Sequence, residues 1–156
     1  IWTIGWPSAS ETRSRARRGH DVGLMDDLAD VISSGGIGTV GTDIFKGIVP
    51  STPDEITSVM ETGGAPPVHA MSAGPGTALL TRPHVQVLTR AARADSAAKR
   101  AREAGRLLDA LQRSVNGVRY HAVFALQDPF FLRRDEANRV EFAQNFEVVR
   151  ANASSS

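Results

Sequence analysis

The hydrophobic positions near the end of the chain recur with a period of two. The apolar members are Val140, Phe142, Phe146 and Val148, and they alternate with Glu141, Ala143, Asn145 and Glu147. This alternation is typical of a strand with one face on a core and the other in water. A preceding strand starts at Tyr120 and is closed by Asp128-Pro129, because proline has no amide hydrogen to give the ladder. The pattern therefore predicts two strands joined by a charged connection.

Two other segments show the 3.6-residue period of an amphipathic helix. A short helix is predicted from Leu24 to Ile32, and Gly35-Gly36 is expected to end it. A longer, alanine-rich helix is predicted from Asp95 to Gln112, with Asp95 or Ser96 capping the exposed amides at its start. Its inward face carries Ala97, Ala101, Ala104, Leu108 and Leu111. After this helix, Asn116-Gly117 predicts a tight turn with positive φ angles.

The middle of the chain predicts three further strands and a long loop. Asp43–Val49 and Ile56–Glu61 are expected to pair as a hairpin, and Pro83–Arg90 is a third strand. Residues 62–81 are rich in glycine and proline without a sustained period, which indicates a loop of the length often used for binding. The fold class predicted is α+β, with a single mixed, largely antiparallel β-sheet of about five strands covered by two main helices. The predicted core residues are Phe45, Val85, Val87, Leu108, Leu111, Phe124, Val140, Phe142, Phe146 and Val148.

Short motifs along the chain add a family resemblance. They are Asp43, Phe45 and Gly47 in the first strand, Arg82, Pro83 and Gln86 in the third, and Arg139, Phe142, Asn145 and Phe146 in the last. No single motif is specific, but their order and spacing around the alanine-rich helix resemble those of bacteriophage minor capsid and tail terminator proteins. The resemblance covers roughly residues 25–150.

The resemblance implies a structural role in a virion. A protein similar to tail terminators of long-tailed phages is expected to form a ring, in this case a hexamer, that caps the tail tube, stops its polymerisation and offers a surface for joining to the head. The partners implied are further copies of the chain, the tail tube protein and a head-tail connector protein, with DNA only as transiting cargo. The implied location is the tail or neck of the virion, after assembly in the cytoplasm of a bacterial host. No enzymatic activity and no cofactor are implied.

The ends of the chain fall outside this pattern. Residues 1–21 contain four arginines but no hydrophobic period, so we interpret them as a disordered or non-native extension, with Val22 or Met25 as the natural start. Residues 22–150 are the predicted tail terminator-like domain, and residues 151–156 a polar tail. No stretch approaches the roughly 18 apolar residues of a membrane span, so no membrane role is expected.

Charge is unevenly distributed although the net charge is only +1. Residues 21–81 hold one basic and eight acidic side chains, a net charge of −7, whereas residues 82–119 hold nine basic and three acidic ones, a net charge of +6. Complementary patches of this kind can steer one copy onto the next. The hypothesis is that Arg93 and Arg100, on the exposed side of the long helix, meet Asp54, Glu55 and Glu61 of an adjacent subunit. The alternative is a nucleic-acid-binding module that uses the basic helix at residues 93–113.

Other chemistry finds little support in the sequence. Gly36, Gly38 and Gly41 match a dinucleotide-binding pattern by letter, but a helix precedes them and a strand follows, which reverses the context that such a site needs. The four histidines lack metal-ligand spacing, so no metal site is expected. The chain has no cysteine, which excludes disulfides, thiolate zinc sites and a cysteine nucleophile.

Overall fold

The computed structural model of the chain describes residues 23–69 and 79–151. The predicted extension at residues 1–21, the centre of the predicted loop and the predicted tail after residue 151 lie outside the described residues. The described part contains two helices, α1 at residues 23–34 and α2 at Ala94–Leu108. Its strands are β1 (Ile44–Lys46), β2 (Ile56–Val68), β3 (Leu80–Ala91), β4 (Arg113–Val115), β5 (Val118–Ala125), β6 (Phe130–Arg134) and β7 (Val140–Ala151).

The strands form one seven-stranded sheet. Their order is β1-β2-β3-β7-β5-β4, and β6 pairs with β7 beside β5. All pairs are antiparallel except β1 with β2. The predicted α+β class with a mixed, largely antiparallel sheet is confirmed, but the expected number of about five strands is too small. The prediction missed β4, which has only three residues, and β6, which begins directly after the Asp128-Pro129 end predicted for the strand from Tyr120.

The predicted hairpin between the first two strands is wrong. β1 and β2 run parallel, with Ile44 opposite Thr57 and Lys46 opposite Val59. Parallel neighbours need a connection that returns the chain to the end at which it started, and residues 47–55 provide it.

Part of the predicted long loop is also wrong, because β2 continues to Val68 and pairs with β3 as far as Leu80. Gly63, at φ 128°, lies in one register irregularity, and Pro66-Pro67 lies in another between Ala65 and Val68. Bulges and edge positions accept glycine and proline because they do not require a ladder hydrogen bond there. The strand is thus longer than its composition suggests.

Both helices pack on one face of the sheet and form its main core. This core contains Leu24, Leu28 and Ile32 of α1, Ala104 and Leu108 of α2, and Val59, Val85, Val123, Phe146 and Val148 of the strands. Small residues bring α2 close to the sheet: a Cβ atom added to Gly105 would lie 2.3 Å from Oε1 of Gln144. The helix begins after Arg93, which makes no side-chain cap hydrogen bond, so the expected caps Asp95 and Ser96 lie in its first turn instead.

Most of the predicted core residues are buried. These are Val85, Val87, Leu108, Leu111, Val140, Phe146 and Val148. Phe45 and Phe124 depart from the prediction because their neighbours Ile44 and Val123 face the core, and successive side chains of a strand point to opposite faces. Phe45 is therefore half-buried and Phe124 is 51% exposed.

Phe142 is also only half-buried. It packs with Val140 and Ala91 against Ala97, in a small second cluster near the start of α2.

Candidate subunit interface

β2 and β6 each present a backbone edge that has no partner among the described residues. β1 covers β2 only from Thr57 to Val59, so the outer edge of β2 is unpaired from Met60 onward. β6 pairs with β7 on one side, and its other side is open. Unpaired edges are templates for strand addition, and natural proteins usually protect them.

Large apolar side chains are exposed close to one of these edges. Phe131 on β6 is 54% exposed and Leu132 is 39% exposed, and the ring of Phe131 stands edge-on to that of Phe142 at 6.1 Å. Phe124 and Leu126 are also about half exposed, on the sheet face opposite the helices. Exposed apolar residues grouped within residues 124–132 indicate a surface for another protein.

The outer face of α2 carries a basic stripe. Lys99, Arg102 and Arg106 are exposed at i, i+3 and i+7, and none has an ion-pair partner among the described residues. Arg102 and Arg106 line a groove of about 360 Å³ that continues to Asp128 and Pro129, directly before β6. The stripe therefore lies beside the open edge of β6.

Arg100 is not on this exposed face, contrary to the prediction. It lies one turn from Ala97 and Ala104 on the inward face of α2 and is 7% exposed. Its Nε donates to Oγ1 of Thr57 at 2.6 Å, and its Nη2 lies 3.3 Å from a carboxylate oxygen of Asp43. Arg100 therefore fixes α2 to the β1-β2 edge within one subunit.

The acidic residues proposed to meet the long helix are placed differently from one another. Asp54 pairs with Arg139 at 3.2 Å, and Glu55 lies 3.6 Å from Arg100, both within the same chain. Glu61 is exposed on β2, where it has no ion-pair or hydrogen-bond partner among the described residues. Arg93 is exposed and contacts only Asp95. Glu61 and Arg93 are thus the two of these residues whose charges remain accessible.

A second charged cluster lies on the opposite face of the sheet, where β3 meets β7. Arg90 and Glu141 are register partners and both are buried. Arg90 donates to the main-chain oxygens of Pro53 and Asp54 at 2.7 and 3.2 Å, and Arg133 pairs with Glu141 at 2.9 Å. Burial lowers the pKa of Arg90 from its ordinary value. These contacts hold the connection between β1 and β2 against the sheet, beside β6.

A buried polar network joins α1 to the β4-β5 hairpin. Tyr120 donates its hydroxyl to Asp27 at 2.5 Å, and Asn116 donates to the same carboxylate at 2.8 Å. Burial raises the pKa of Asp27, against the two hydrogen bonds, which lower it. Burial and the hydrogen bond to Asp27 raise the pKa of Tyr120. The predicted positive-φ turn supplies one of these donors, since Asn116 has φ 49° and Gly117 φ 83°.

The sheet face away from the helices carries cross-strand polar pairs near its centre. Glu147 contacts Nε2 of His84 at 3.0 Å and Arg82 at 3.3 Å, and Gln86 donates to Asn145 at 3.1 Å. The hydrogen bond from His84 lowers the pKa of Glu147 most, followed by the effect of Arg82. This face is polar beside the exposed Phe124, as expected of a surface that contacts water or another protein.

The described residues offer no arrangement typical of catalysis or ion binding. The glycines at positions 36, 38 and 41 follow α1 and precede β1, so the helix N-terminus that a dinucleotide site requires is absent there. No group of three or more potential metal ligands occurs among residues 23–69 and 79–151. No helix within those ranges is long and apolar enough to cross a membrane.

Comparison with known proteins identifies the family. The model of the bacteriophage tail terminator protein family matches residues 31–152, which include all seven strands and α2. The chain belongs to the bacteriophage tail terminator family. This family is one of structural phage proteins. The resemblance seen in the order of the short motifs is therefore confirmed.

A solved structure shows a similar fold at low sequence identity. A chain from the virion of a native gene transfer agent particle aligns with a TM-score of 0.52 and 16% identity, covering 82% of this chain and 94% of that chain. A second solved chain aligns with a TM-score of 0.46 and 16% identity, covering 90% of this chain and 96% of that one. No curated protein sequence matches the chain.

Sequence reasoning missed several residues of this surface. The exposed Phe131 and Leu132 follow Asp128-Pro129, the predicted end of the strand from Tyr120, and were given no role, although two adjacent large apolar residues cannot both face one core. A turn at residues 135–138 could also have been predicted, because Asp and Asn favour turns. In the structure Asn138 adopts φ 65° and closes a tight turn between β6 and β7. No sequence pattern indicated that Arg90 and Glu141 are buried, because the alternation of apolar and polar residues along their strands placed both on a face in contact with solvent.

Proposed function

We propose that this tail terminator family protein assembles as a ring, of six copies, that caps the finished tail tube of a long-tailed phage or a related particle. The ring stops polymerisation of the tube and presents a surface for joining to the head. The observation that carries this proposal is the family match over residues 31–152. The similarity of the fold to a chain of a gene transfer agent virion supports it.

The surface of the described residues is consistent with an assembling subunit. It combines two unpaired strand edges, a group of exposed apolar residues around β6 and an unpaired basic stripe on α2. These features stay exposed in a monomer, whereas contacts between the subunits of a ring can cover each of them. Arg93 and Glu61 remain proposed interface residues, because both are exposed and neither is engaged by an element distant in the sequence.

The partners proposed are further copies of this chain, the tail tube protein and a head-tail connector protein, with DNA passing through as cargo. The proposed location is the tail or neck of the particle, after assembly in the cytoplasm of the bacterial host. The experiment is to purify the full chain and add it to polymerising tube protein. We expect rings by mass photometry and electron microscopy, and shorter tubes that carry density at one end. A chain that stays monomeric and leaves tube length unchanged would contradict the proposal.

A nucleic-acid-binding module is the second candidate, because Lys99, Arg102 and Arg106 form a basic stripe without acidic partners among the described residues. A titration with duplex DNA at several salt concentrations tests it. Binding by phosphate neutralisation would give an affinity that falls steeply and linearly with the logarithm of salt concentration.

A further inference from the structure

We propose that neighbouring copies of this chain join by strand addition, in which the outer edge of β2 in one copy pairs antiparallel with the outer edge of β6 in the next. This inference rests on the ring proposed above and names the joint that builds it. The joint requires two free edges of matching length and apolar surface to bury. It also requires charges that attract the β2 edge of one copy to the β6 edge of another and disfavour contact between two identical edges.

The two edges match in length. β6 offers five residues, Phe130–Arg134, with no backbone partner on its outer side among the described residues. The edge of β2 is open from Met60, and Pro66-Pro67 ends its capacity to donate hydrogen bonds. The stretch from residue 61 to residue 65 therefore pairs with β6, and the prolines prevent the pairing from continuing.

The side chains fit an antiparallel register that places Glu61 opposite Arg134. The Glu61 side chain has no ion-pair or hydrogen-bond partner among the described residues, and the Arg134 side chain makes only long contacts of 3.3 and 3.5 Å with Asn138 of its own turn. In the same register the exposed Leu132 lies opposite Gly63, where an added Cβ would meet no atom within 4 Å, and the exposed Phe131 lies opposite Gly64, which presents no side chain to the joint. Aromatic side chains placed across from glycine protect such strands.

Charge complementarity favours a second copy as the occupant. β2 carries one acidic side chain, Glu61, and no basic one. β6 carries two basic side chains, Arg133 and Arg134, and no acidic one. Opposite net charges on two different edges attract unlike edges and disfavour contact between like ones.

The positions of the edges favour a closed assembly. β2 and β6 lie on opposite sides of the central β3-β7 pair, so one molecule cannot join its own edges. Contact between two different surfaces is heterologous, and it gives a ring when the rotation between copies closes. The open part of β2 is level, across β3, with the β7 residues that follow 145, whereas β6 pairs with β7 residues 140–143, so successive copies are staggered. Stagger with tilted strands is how a sheet closes into a barrel.

Disulfide trapping tests the joint, because the natural chain contains no cysteine. The variant Glu61→Cys/Arg134→Cys places two thiols at Cα separations that an antiparallel pair allows and a disulfide needs. After oxidation of the assembled full-length protein, we expect most of it in a ladder of covalent multimers on a denaturing gel. Each single variant should give dimers at most. The matched control, Glu61→Cys/Arg113→Cys, carries its second thiol on the free edge of β4 and should give no ladder.

The outcomes separate the joint from the ring. Rings that form without cross-linking through residues 61 and 134 would overturn the joint while the ring stands. A ladder from the control alone would assign the contact to β4 and overturn β6. A protein that stays monomeric with tube protein present would overturn the ring and the joint together. Amide hydrogen exchange adds a readout without substitution: assembly should slow exchange at residues 61–65 and 130–134, and unchanged exchange there in assembled rings would contradict strand addition.

Discussion

At the scale of single residues, buried polar groups tie the helices to the sheet. Asp27 is 3% exposed and receives hydrogen bonds from Tyr120 and Asn116, and Arg100 is held between α2 and the β1-β2 edge. A buried polar group without a partner costs more free energy than an exposed one. Substitutions that remove one partner and leave the other in place should therefore reveal how much these ties contribute.

Replacing Tyr120 by phenylalanine should lower the free energy of unfolding by about 1–3 kcal/mol, because the Asp27 carboxylate stays buried with one donor fewer. The loss should grow with pH. Burial raises the pKa of Asp27 in the folded state above its unfolded value of 3.8, so stability tied to this group is present below that value and is lost as pH rises through the folded pKa. The hydrogen bond from Tyr120 lowers the pKa of Asp27, so removing this bond raises that pKa further. The pH range over which stability is lost then becomes wider. Urea denaturation at several pH values measures the effect.

The matched control for Tyr120 is the double variant Asp27→Asn/Tyr120→Phe, which removes the charge as well as the hydroxyl. The free energy of unfolding that this double variant loses should not vary with pH in the same range. A Tyr120→Phe loss that is independent of pH would show that Asp27 does not titrate in the folded state as its burial requires.

Replacing Arg100 by methionine should lower the free energy of unfolding by about 1.5–3 kcal/mol, the range for hydrogen bonds to charged groups. The neighbouring exposed Lys99, replaced in the same way, should change it by no more than about 0.5 kcal/mol. Thermal and urea denaturation compare the two. Equal effects at both positions would contradict the internal role of Arg100 and restore it as an interface candidate.

At the scale of elements, strong periodicity predicted well and local exceptions did not. The closing strand and α2 have long, regular patterns, and both start close to their predicted first residues, although α2 ends at Leu108 and not at the predicted Gln112. The position of β1 was predicted, but its parallel pairing with β2 was not. The direction of a short strand depends on the path of the connection that follows it. The end of β2 was missed because glycine and proline at a bulged edge look like a loop in sequence.

The same limit applies to the candidate interface. The uneven charge distribution was visible in the sequence, and so was the family resemblance. The assignment of Arg100 to the exposed face failed, although its spacing from Ala97 and Ala104 already placed it inward. The free edges of β2 and β6 could not be predicted, since an edge is defined by which strands are absent beside it.

Replacing Phe146 by alanine should cost about 3–5 kcal/mol, because this fully buried ring lies in the main core between β3, β5 and the helices. Phe142, four residues earlier on the same face, serves as the matched position. Its ring is half-buried, so alanine there should cost less, within about 0.5–3 kcal/mol. Chemical denaturation of both variants gives the comparison. A larger loss at residue 142 would mean that the cluster around Ala91 and Val140, and not the main core, dominates stability.

At the scale of the whole molecule, the charges form two regions that a ring can bring together. The acidic part surrounds β1 and the start of β2, and the basic stripe on α2 lies beside β6. If β2 of one copy pairs with β6 of the next, the β2 edge that carries Glu61 approaches the side of the next copy that carries Arg102 and Arg106, and these opposite charges attract each other as the copies meet. Exposed pairs of this kind are worth about 0–1 kcal/mol each, so they should act on the rate of assembly more than on its final extent.

The variant Arg102→Glu/Arg106→Glu should therefore slow ring formation at low salt and leave it nearly unchanged at high salt, where the Debye length falls to about 3 Å at 1 M. Its fold should be unaffected, because both side chains are exposed. Arg119→Glu, an exposed substitution on β5 away from the joint, is the control and should assemble at the parental rate. Mass photometry follows the oligomer, and a DNA titration on the same proteins tests the rival function. Slowing that persists at high salt would contradict electrostatic steering. Tight DNA binding by the parent that is lost in the double variant, with assembly unchanged at every salt concentration, would favour the nucleic-acid-binding function instead.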